Sequence, residues 1–192
     1  MFKNPDNLGT QTALLPMAFP EGSPMHPAYG AGHATVAGAC VTMLKAFFDT
    51  DALFVKRNDQ LTIIEPSEKL ETDQAIAYVP VLDPTTQLSS LNDSVFSITE
   101  PLTVGNELNK LAANISIGRD MAGVHYYTDY IDSLIMGEKI ALGILLEQSL
   151  SYEIYPVNIR PSFSLTTFLG RNLRIKDGEI TENGQIVDWC AL

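Results

Sequence analysis

The stretch Gly32-His-Ala-Thr-Val-Ala-Gly-Ala-Cys-Val-Thr-Met-Leu-Lys-Ala-Phe-Phe48 repeats its larger apolar residues with the period of an α-helix. These side chains recur at intervals of three and four positions: Val36, Cys40, Met43, Leu44 and Phe47. Residues at that spacing share one helix face, so we expect this face, with the Cys40 thiol, to lie in the protein core. Alanine and glycine fill many other positions, which predicts close packing against neighbouring elements.

Two further stretches have the same period. The first runs from about Val104 to Ile117, and its apolar stripe consists of Leu108, Leu111, Ala112 and Ile115. The second runs from about Thr128 to Leu150, with Thr128 or Asp129 as its expected N-cap. Its expected buried side chains are Ile131, Leu134, Ile135, Leu142, Leu145 and Leu146. The sequence therefore predicts a mainly α protein.

The remaining segments differ from these helices in composition and turn signals. Residues 56–100 carry charges, Ser and Thr, and the turn signals around Pro66 and Pro84 predict a long excursion of short helices and loops. In the tail, residues 165–192, an Asp177-Gly178 turn between two apolar runs predicts a small β-hairpin. Asn183-Gly184 predicts a second turn. We expect residues 1–192 to form a single domain with this tail as an appendage.

Composition excludes several classes of function. The chain has 192 residues, with 12 Lys and Arg against 23 Asp and Glu, a formal net charge of −11. That balance argues against a nucleic-acid partner and against a polybasic membrane patch. Cys40 and Cys190 are too few for a disulfide scaffold. We find neither an 18-residue apolar run nor the apolar core of a signal peptide, so we expect a soluble protein. The sequence does not indicate its cellular compartment.

Four residues could form an anion site. His33 follows Gly30-Ala-Gly32 at a predicted helix start, where backbone N–H groups and the helix dipole favour an anion. Arg119 offers a planar fork of donors for an oxyanion. His125 follows six residues later, and Asp129 lies where its carboxylate can orient the imidazole ring.

Longer runs around these residues carry a family resemblance. The run Met17-Ala-Phe-Pro-Glu-Gly-Ser-Pro-Met-His-Pro-Ala-Tyr-Gly-Ala-Gly-His-Ala-Thr-Val-Ala-Gly38 resembles the vanadium-dependent bromoperoxidases of marine algae and cyanobacteria, as does Asn114-Ile-Ser-Ile-Gly-Arg-Asp-Met-Ala-Gly-Val-His-Tyr126. Leu142-Gly-Ile-Leu-Leu-Glu-Gln-Ser-Leu150 resembles the helix that follows in that family. The resemblance implies a helical bundle of the acid phosphatase and vanadium haloperoxidase type, matching its C-terminal part.

The resemblance also implies how a cofactor is held. His125 would bind the metal of vanadate through a ring nitrogen, with Asp129 as the partner of its imidazole. Arg119 and the backbone N–H of Gly32 would bind vanadate oxygens, and phosphate could occupy the same site. Ala31 stands where the family usually has a serine, which removes one hydrogen bond worth about 0.5–1.5 kcal/mol.

The implied reaction is the oxidation of bromide by hydrogen peroxide, giving a hypohalous-acid equivalent that halogenates an organic acceptor. His33 would be the acid–base residue, and His26 matches a second histidine of the pocket. The family's first motif, a Lys followed at short spacing by Arg-Pro, does not precede residue 30 in this chain, where Lys3 is the only Lys or Arg. We therefore expect a homo-oligomer or a complementing N-terminal polypeptide as partner.

Two other interpretations remain open at this point. A phosphatase of the same superfamily would use His125 as nucleophile and His33 as general acid. Alternatively, the chain is an inactive fragment or an oligomerisation module.

Overall fold

The computed structural model describes residues 2–3, 11–12, 25–77, 79–86, 89–92 and 101–191. Its helices are α1 (Gly32–Phe47), α2 (Val104–Met121) and α3 (Tyr127–Leu150), and each packs against the other two. All three predicted helices are present, and α2 continues four residues beyond the expected end at Ile117. That extension brings Arg119 into the last turn of α2.

The start of α3 differs from the prediction. Tyr126, in extended conformation, is the N-cap residue, and Asp129 is the third residue of the helix rather than its cap. The Asp129 carboxylate accepts a hydrogen bond from the Tyr126 N–H at 3.1 Å. An acidic side chain that reaches back from this position satisfies a backbone donor and complements the helix dipole, which explains why the helix begins before Thr128.

The side chains that α1 buries are not those of the predicted core face, although Met43 of that face packs partly buried against a core cluster of α3 and the C-terminal sheet. The side chains that α1 buries are mostly small or polar: Ala34, Ala37, Gly38, Val41, Thr42 and Lys45. Of the predicted core face, Val36 is 62% exposed and Phe47 68% exposed, and the thiol of Cys40 is also exposed. The prediction of a buried Cys40 was therefore wrong. Apart from Thr42 and Lys45 the buried side chains are apolar as well, so α1 is largely apolar on both faces, a property of helices that are buried on all sides.

Glycines explain why α1 turns its small residues inward. A Cβ added at Gly38 would lie 2.2 Å from the backbone oxygen of Leu134, and one at Gly137 would lie 2.0 Å from that of Thr35. The backbones of α1 and α3 thus touch at two crossing points that no larger residue fits. Because small residues permit this contact, the bulky ones of α1 face outward.

The β structure of the excursion was not predicted. Between residues 53 and 92, the described part of this excursion contains five strands, joined by turns and one short 3-10 helix at Pro66–Glu68, and residues 93–100 lie outside the described residues. The strands up to α2 are β1 (Phe2–Lys3), β2 (Gln11–Thr12), β3 (Leu53–Arg57), β4 (Gln60–Ile64), β5 (Gln74–Ala75), β6 (Val79–Leu82), β7 (Ser89–Asn92) and β8 (Leu102–Thr103). Strand β3 pairs antiparallel with β4, β5 and β8, while β1–β2 and β6–β7 are separate antiparallel pairs.

The predicted C-terminal hairpin is confirmed as part of a larger sheet. An antiparallel four-stranded sheet is built from β9 (Phe163–Thr166), β10 (Asn172–Lys176), β11 (Glu179–Glu182) and β12 (Gln185–Ile186). Both predicted turns have positive φ angles, 51° at Asp177 and 51° at Asn183. One face of the sheet packs against α3 through a buried apolar cluster: Leu142, Leu145, Phe163, Leu165, Leu173, Ile175 and Ile180.

Two buried charged residues, one on α1 and one on α3, bind the segment that leaves β9. Lys45 of α1 is 1% exposed, donates to the Thr166 carbonyl at 3.0 Å and lies 3.9 Å from the ring centre of Phe168. Glu138 of α3 accepts the Phe168 N–H at 2.8 Å. Burial lowers the pKa of Lys45 to about 8 and raises the pKa of Glu138.

Across the described part of the chain, we find no helix with both the length and the apolar character needed to cross a bilayer.

Candidate functional site

His125 lies in the short connection between α2 and α3, with a side chain only 6% exposed. Its Nδ1 is 2.6 Å from the carbonyl oxygen of Ala28. A carbonyl can only accept a hydrogen bond, so Nδ1 carries the proton. In the neutral ring the lone pair then lies on Nε2, which is the form that binds a metal centre or attacks an electrophile.

Asp129 has two neighbours. Its Oδ2 lies 3.4 Å from His125 Nδ1, and the same oxygen accepts the Tyr126 N–H at 3.1 Å. The carboxylate therefore lies beside the ring, while the shorter contact of Nδ1 is the hydrogen bond that it donates to the Ala28 carbonyl. Both side chains are almost fully buried, which strengthens the electrostatic interaction between them.

Arg119 provides an unused donor at the end of α2. Its Nε is buried and has no hydrogen-bond partner among the residues that the structure covers. The neighbouring Asp120 Oδ1 is also buried without a hydrogen-bond partner in the described structure. Burial raises the pKa of this carboxyl group, and the charge of His125 partly opposes the rise. An unsatisfied buried N–H of a guanidinium is costly, so the position suits a group that accepts a hydrogen bond.

Gly32 and His33 are the first residues of α1. No heavy atom lies within 4 Å of a Cβ built on Gly32, so its backbone is open to a ligand. Backbone N–H groups in the first turn of a helix have no partner within the helix. The exposed ring of His33 lines an apolar cavity of about 510 Å³ with Val36, Cys40 and Ile115.

Three hydrogen bonds hold the segment that precedes α1 against the start of α3, and one of them runs from the Tyr29 hydroxyl to Asp132 Oδ2 at 3.1 Å. Ala28 binds His125 as described, and the N–H of Ala31 donates to Ser133 Oγ at 2.7 Å. His26, two residues before Ala28, is exposed, and its Nδ1 lies 2.8 Å from the Pro27 carbonyl oxygen. These three long-range bonds place the segment before α1 beside the start of α3.

These contacts bring some of the predicted site residues together and leave others apart. The packing of the segment before α1 against the start of α3 brings Ala31, His125 and Asp129 into one region. Within the described ranges, no hydrogen bond or ion pair joins Arg119 or His33 to the His125 ring, and no cluster of three or more His, Cys, Asp or Glu side chains suits a metal ion.

Sequence reasoning missed two participants. The Ala28 carbonyl is a backbone group that no side-chain pattern reveals. Ser133 lies inside a predicted helix, where serine has no distinctive signal, and only its position one turn after Asp129 marks the face that it shares.

Comparison with known proteins identifies the family. The model of the VCPO second helical-bundle domain matches residues 6–148. The vanadium-dependent bromoperoxidase of Corallina pilulifera is 50% identical over 155 residues, which are 80% of this chain and 21% of that protein. The vanadium-dependent bromoperoxidase of Ascophyllum nodosum is 33% identical over 183 residues, 95% of this chain and 27% of that protein.

A solved structure supports the same assignment. The homohexameric second vanadate-dependent bromoperoxidase (AnII) of Ascophyllum nodosum superposes with a TM-score of 0.60 at 28% identity, covering 91% of this chain and 29% of that chain. The present chain thus spans about a fifth to a quarter of the length of these curated relatives. It belongs to the family of the VCPO second helical-bundle domain.

Proposed function

We propose that this chain is the vanadate-holding part of a vanadium-dependent haloperoxidase. The whole protein would oxidise bromide with hydrogen peroxide to a hypohalous-acid equivalent that halogenates an organic acceptor. The proposal depends mainly on the hydrogen bond from His125 Nδ1 to the Ala28 carbonyl, because that bond leaves Nε2 available as a ligand. The names of the curated relatives support the choice of vanadate.

The residues present fit an oxyanion of this kind. Vanadate is negatively charged and accepts hydrogen bonds, so a guanidinium and backbone N–H groups suit it. Arg119 has a buried Nε without a partner in the described structure, and Gly32 has open space around its Cα. When bound, vanadate supplies an electrophilic centre that activates hydrogen peroxide toward a halide.

The histidines would move protons. His33 is exposed at the start of α1, where its ring nitrogen can take a proton from hydrogen peroxide and return it later. His26 would be a second histidine of the pocket, since it precedes by two residues the carbonyl that holds His125. Asp129 would hold the His125 ring in place, since its Oδ2 lies 3.4 Å from Nδ1.

We also propose a partner that covers the outer face of α1. This face carries Val36, Cys40 and Phe47, and a helix that is apolar all round is normally buried on both sides. The homohexameric relative makes further copies of the chain one candidate, and a complementing N-terminal polypeptide that supplies Lys and Arg is the other. The net charge of −11 would favour a basic partner.

The direct test is binding of orthovanadate to the purified chain, followed by ⁵¹V NMR, together with bromide oxidation in the presence of hydrogen peroxide. We expect His125→Ala and Arg119→Ala to weaken vanadate binding at least about tenfold, since each removes a charge-assisted or coordinating contact. Lys110→Ala is the matched control, because it removes an exposed cation from the same helix as Arg119. Equal binding by all variants would contradict the proposal.

The geometry of His125 favours a second candidate, a phosphatase. A lone pair on Nε2 suits a nucleophile that attacks phosphorus as well as a ligand. Hydrolysis of p-nitrophenyl phosphate without vanadate, lost in His125→Ala, would favour that function. A chain that neither binds vanadate nor hydrolyses the phosphate ester would be a fragment or an oligomerisation module.

A further inference from the structure

Two hydrogen bonds hold the ends of the segment from Ala28 to Ala31, and the Tyr29 hydroxyl adds an exposed one to Asp132 Oδ2 at 3.1 Å. His125, just before α3, binds the Ala28 carbonyl, and Ser133, in the second turn of α3, accepts the N–H of Ala31. The donor–acceptor distances are 2.6 and 2.7 Å. Because Gly32 follows Ala31 directly, the position of the Gly32 N–H depends on the second bond.

The bond to Ser133 is shielded from water. Ser133 is 2% exposed and Ala31 1% exposed. Gly30 allows the hydroxyl to come this close, since a Cβ there would lie 3.1 Å from Ser133 Oγ. A buried N–H that loses its partner cannot turn to water instead, so the segment would have to move.

Ser133 is itself held in place. The next residue, Leu134, contacts Gly38 backbone to backbone, and Gly137 contacts Thr35 in the same way one turn further on. These crossing points fix α3 against α1 immediately beside the hydroxyl. Ser133 therefore connects the close backbone contact between the helices to the segment that carries the candidate oxyanion donors.

We propose that Ser133 is a positioning residue of the candidate oxyanion site: its hydroxyl holds Ala31, and through it Gly32 and the carbonyl of Ala28, in register with His125. This inference depends on the proposed function for its role in binding an anion. It also gives Ala31 a part in the site, because the backbone N–H of that residue is committed to Ser133 and is unavailable to a ligand.

The test compares Ser133→Ala with Ser133→Thr, which retains a hydroxyl, and with Ser116→Ala. Ser116 is a matched control because it is also buried, yet its hydroxyl donates only to Ala112 within α2. Three quantities are measured on the full chain: hydrogen exchange at the Ala31 amide, the ¹⁵N NMR signal of His125 Nδ1, and the affinity for orthovanadate.

In Ser133→Ala we expect about tenfold faster exchange at Ala31, a shifted or broadened signal of His125 Nδ1, and about tenfold weaker vanadate binding. Ser133→Thr should restore all three, and Ser116→Ala should change none. If Ser133→Ala fails to fold, Ser133→Cys replaces it, since a thiol of similar size is a weaker acceptor and should give the same changes at smaller amplitude.

The outcomes separate this inference from the proposed function. Unchanged exchange at Ala31 and an unchanged His125 signal in Ser133→Ala would overturn the positioning role, as would equal changes in Ser116→Ala. If the unaltered chain does not bind orthovanadate, the proposed function fails for the isolated chain. The two NMR measurements then still decide whether Ser133 positions the segment.

Discussion

The contact between α1 and α3 predicts a large effect for one methyl group, in Gly137→Ala. A Cβ at this position would lie 2.0 Å from the backbone oxygen of Thr35 and 2.8 Å from the backbone nitrogen of Ala39. Both neighbours are main-chain atoms of a helix, so neither can rotate away. Relief requires α3 to move away from α1.

The expected size follows from the distances. Ordinary contact begins at 3.4 Å, so the Cβ at Gly137 lacks about 1.4 Å of space, and the helices must separate by about this amount. Overpacking of this kind costs about 1–3 kcal/mol or more. The higher helix propensity of alanine offsets about 1 kcal/mol. Because a backbone clash lies at the upper end of the range, we expect a net loss of about 2 kcal/mol, which lowers Tm by about 4–8 °C at this chain length.

Thermal and urea unfolding followed by circular dichroism measure this loss. Gly118→Ala is the control, because Gly118 also lies inside a helix but has no heavy atom within 4 Å of an added Cβ. That variant should gain about 0.5–1 kcal/mol from helix propensity alone. If Gly137→Ala is as stable as Gly118→Ala, the two backbones do not touch and the packing argument is refuted.

Three further changes have defined outcomes. Burial lowers the pKa of Lys45 to about 8 in the folded chain, against 10.5 for an exposed lysine. Between these two pH values the unfolded chain binds more protons, so the free energy of unfolding rises with pH. Urea titrations at pH 8 and 10 should show this rise, and Lys45→Met should lack it. Hydrogen bonds from Arg57 and from the Leu70 N–H hold the pKa of Asp73 at about 2, so their stabilisation is present above pH 4 and lost as pH falls toward 2. Asp73→Asn should therefore lower Tm at pH 7 and match the unaltered chain near pH 2, and an equal loss at both would refute the ion pair. Asp59 has a φ of 62° in the turn between β3 and β4, so Asp59→Gly should raise stability by about 0.5 kcal/mol in the same urea assay.

Apolar period and turn chemistry predicted much of the fold. The three helices were found because each has a long amphipathic or apolar repeat, which is the strongest local signal in a sequence. The tail was found because Asp177-Gly178 and Asn183-Gly184 adopt positive φ angles that few other residue pairs accept. In both cases the information is local, within a few residues of the element that it specifies.

The strands between α1 and α2 were missed for the same reason. The turn between β3 and β4 is formed by Asn58 and Asp59, both at positive φ, instead of by an Asn-Gly or Asp-Gly pair. The short strands β5 and β8 owe their conformation to pairing with β3. Such pairing is non-local, so the sequence around Gln74 or Leu102 does not reveal it.

The prediction of the buried face of α1 was wrong for a different reason. Periodicity identifies the larger apolar residues and assigns them to the core, yet α1 and α3 pack through Gly38 and Gly137. The driving force is backbone proximity, which needs small residues, whereas the periodic rule measures side-chain hydrophobicity. The burial of Lys45 between the Thr166 carbonyl and the Phe168 ring is equally invisible to that rule.

The same outer face of α1 bears on the candidate site. His33 lies on it with Val36 and Cys40, around one apolar cavity beside Ile115. An acid–base group works best where water is excluded, because proton transfer and charge interactions strengthen in a dry site. In this chain the His33 ring is exposed, so whatever covers the apolar face also encloses the histidine. Partner binding and catalysis would then depend on one surface. A charge at Phe47, about four turns from His33, would weaken the partner contact without altering the His125 geometry.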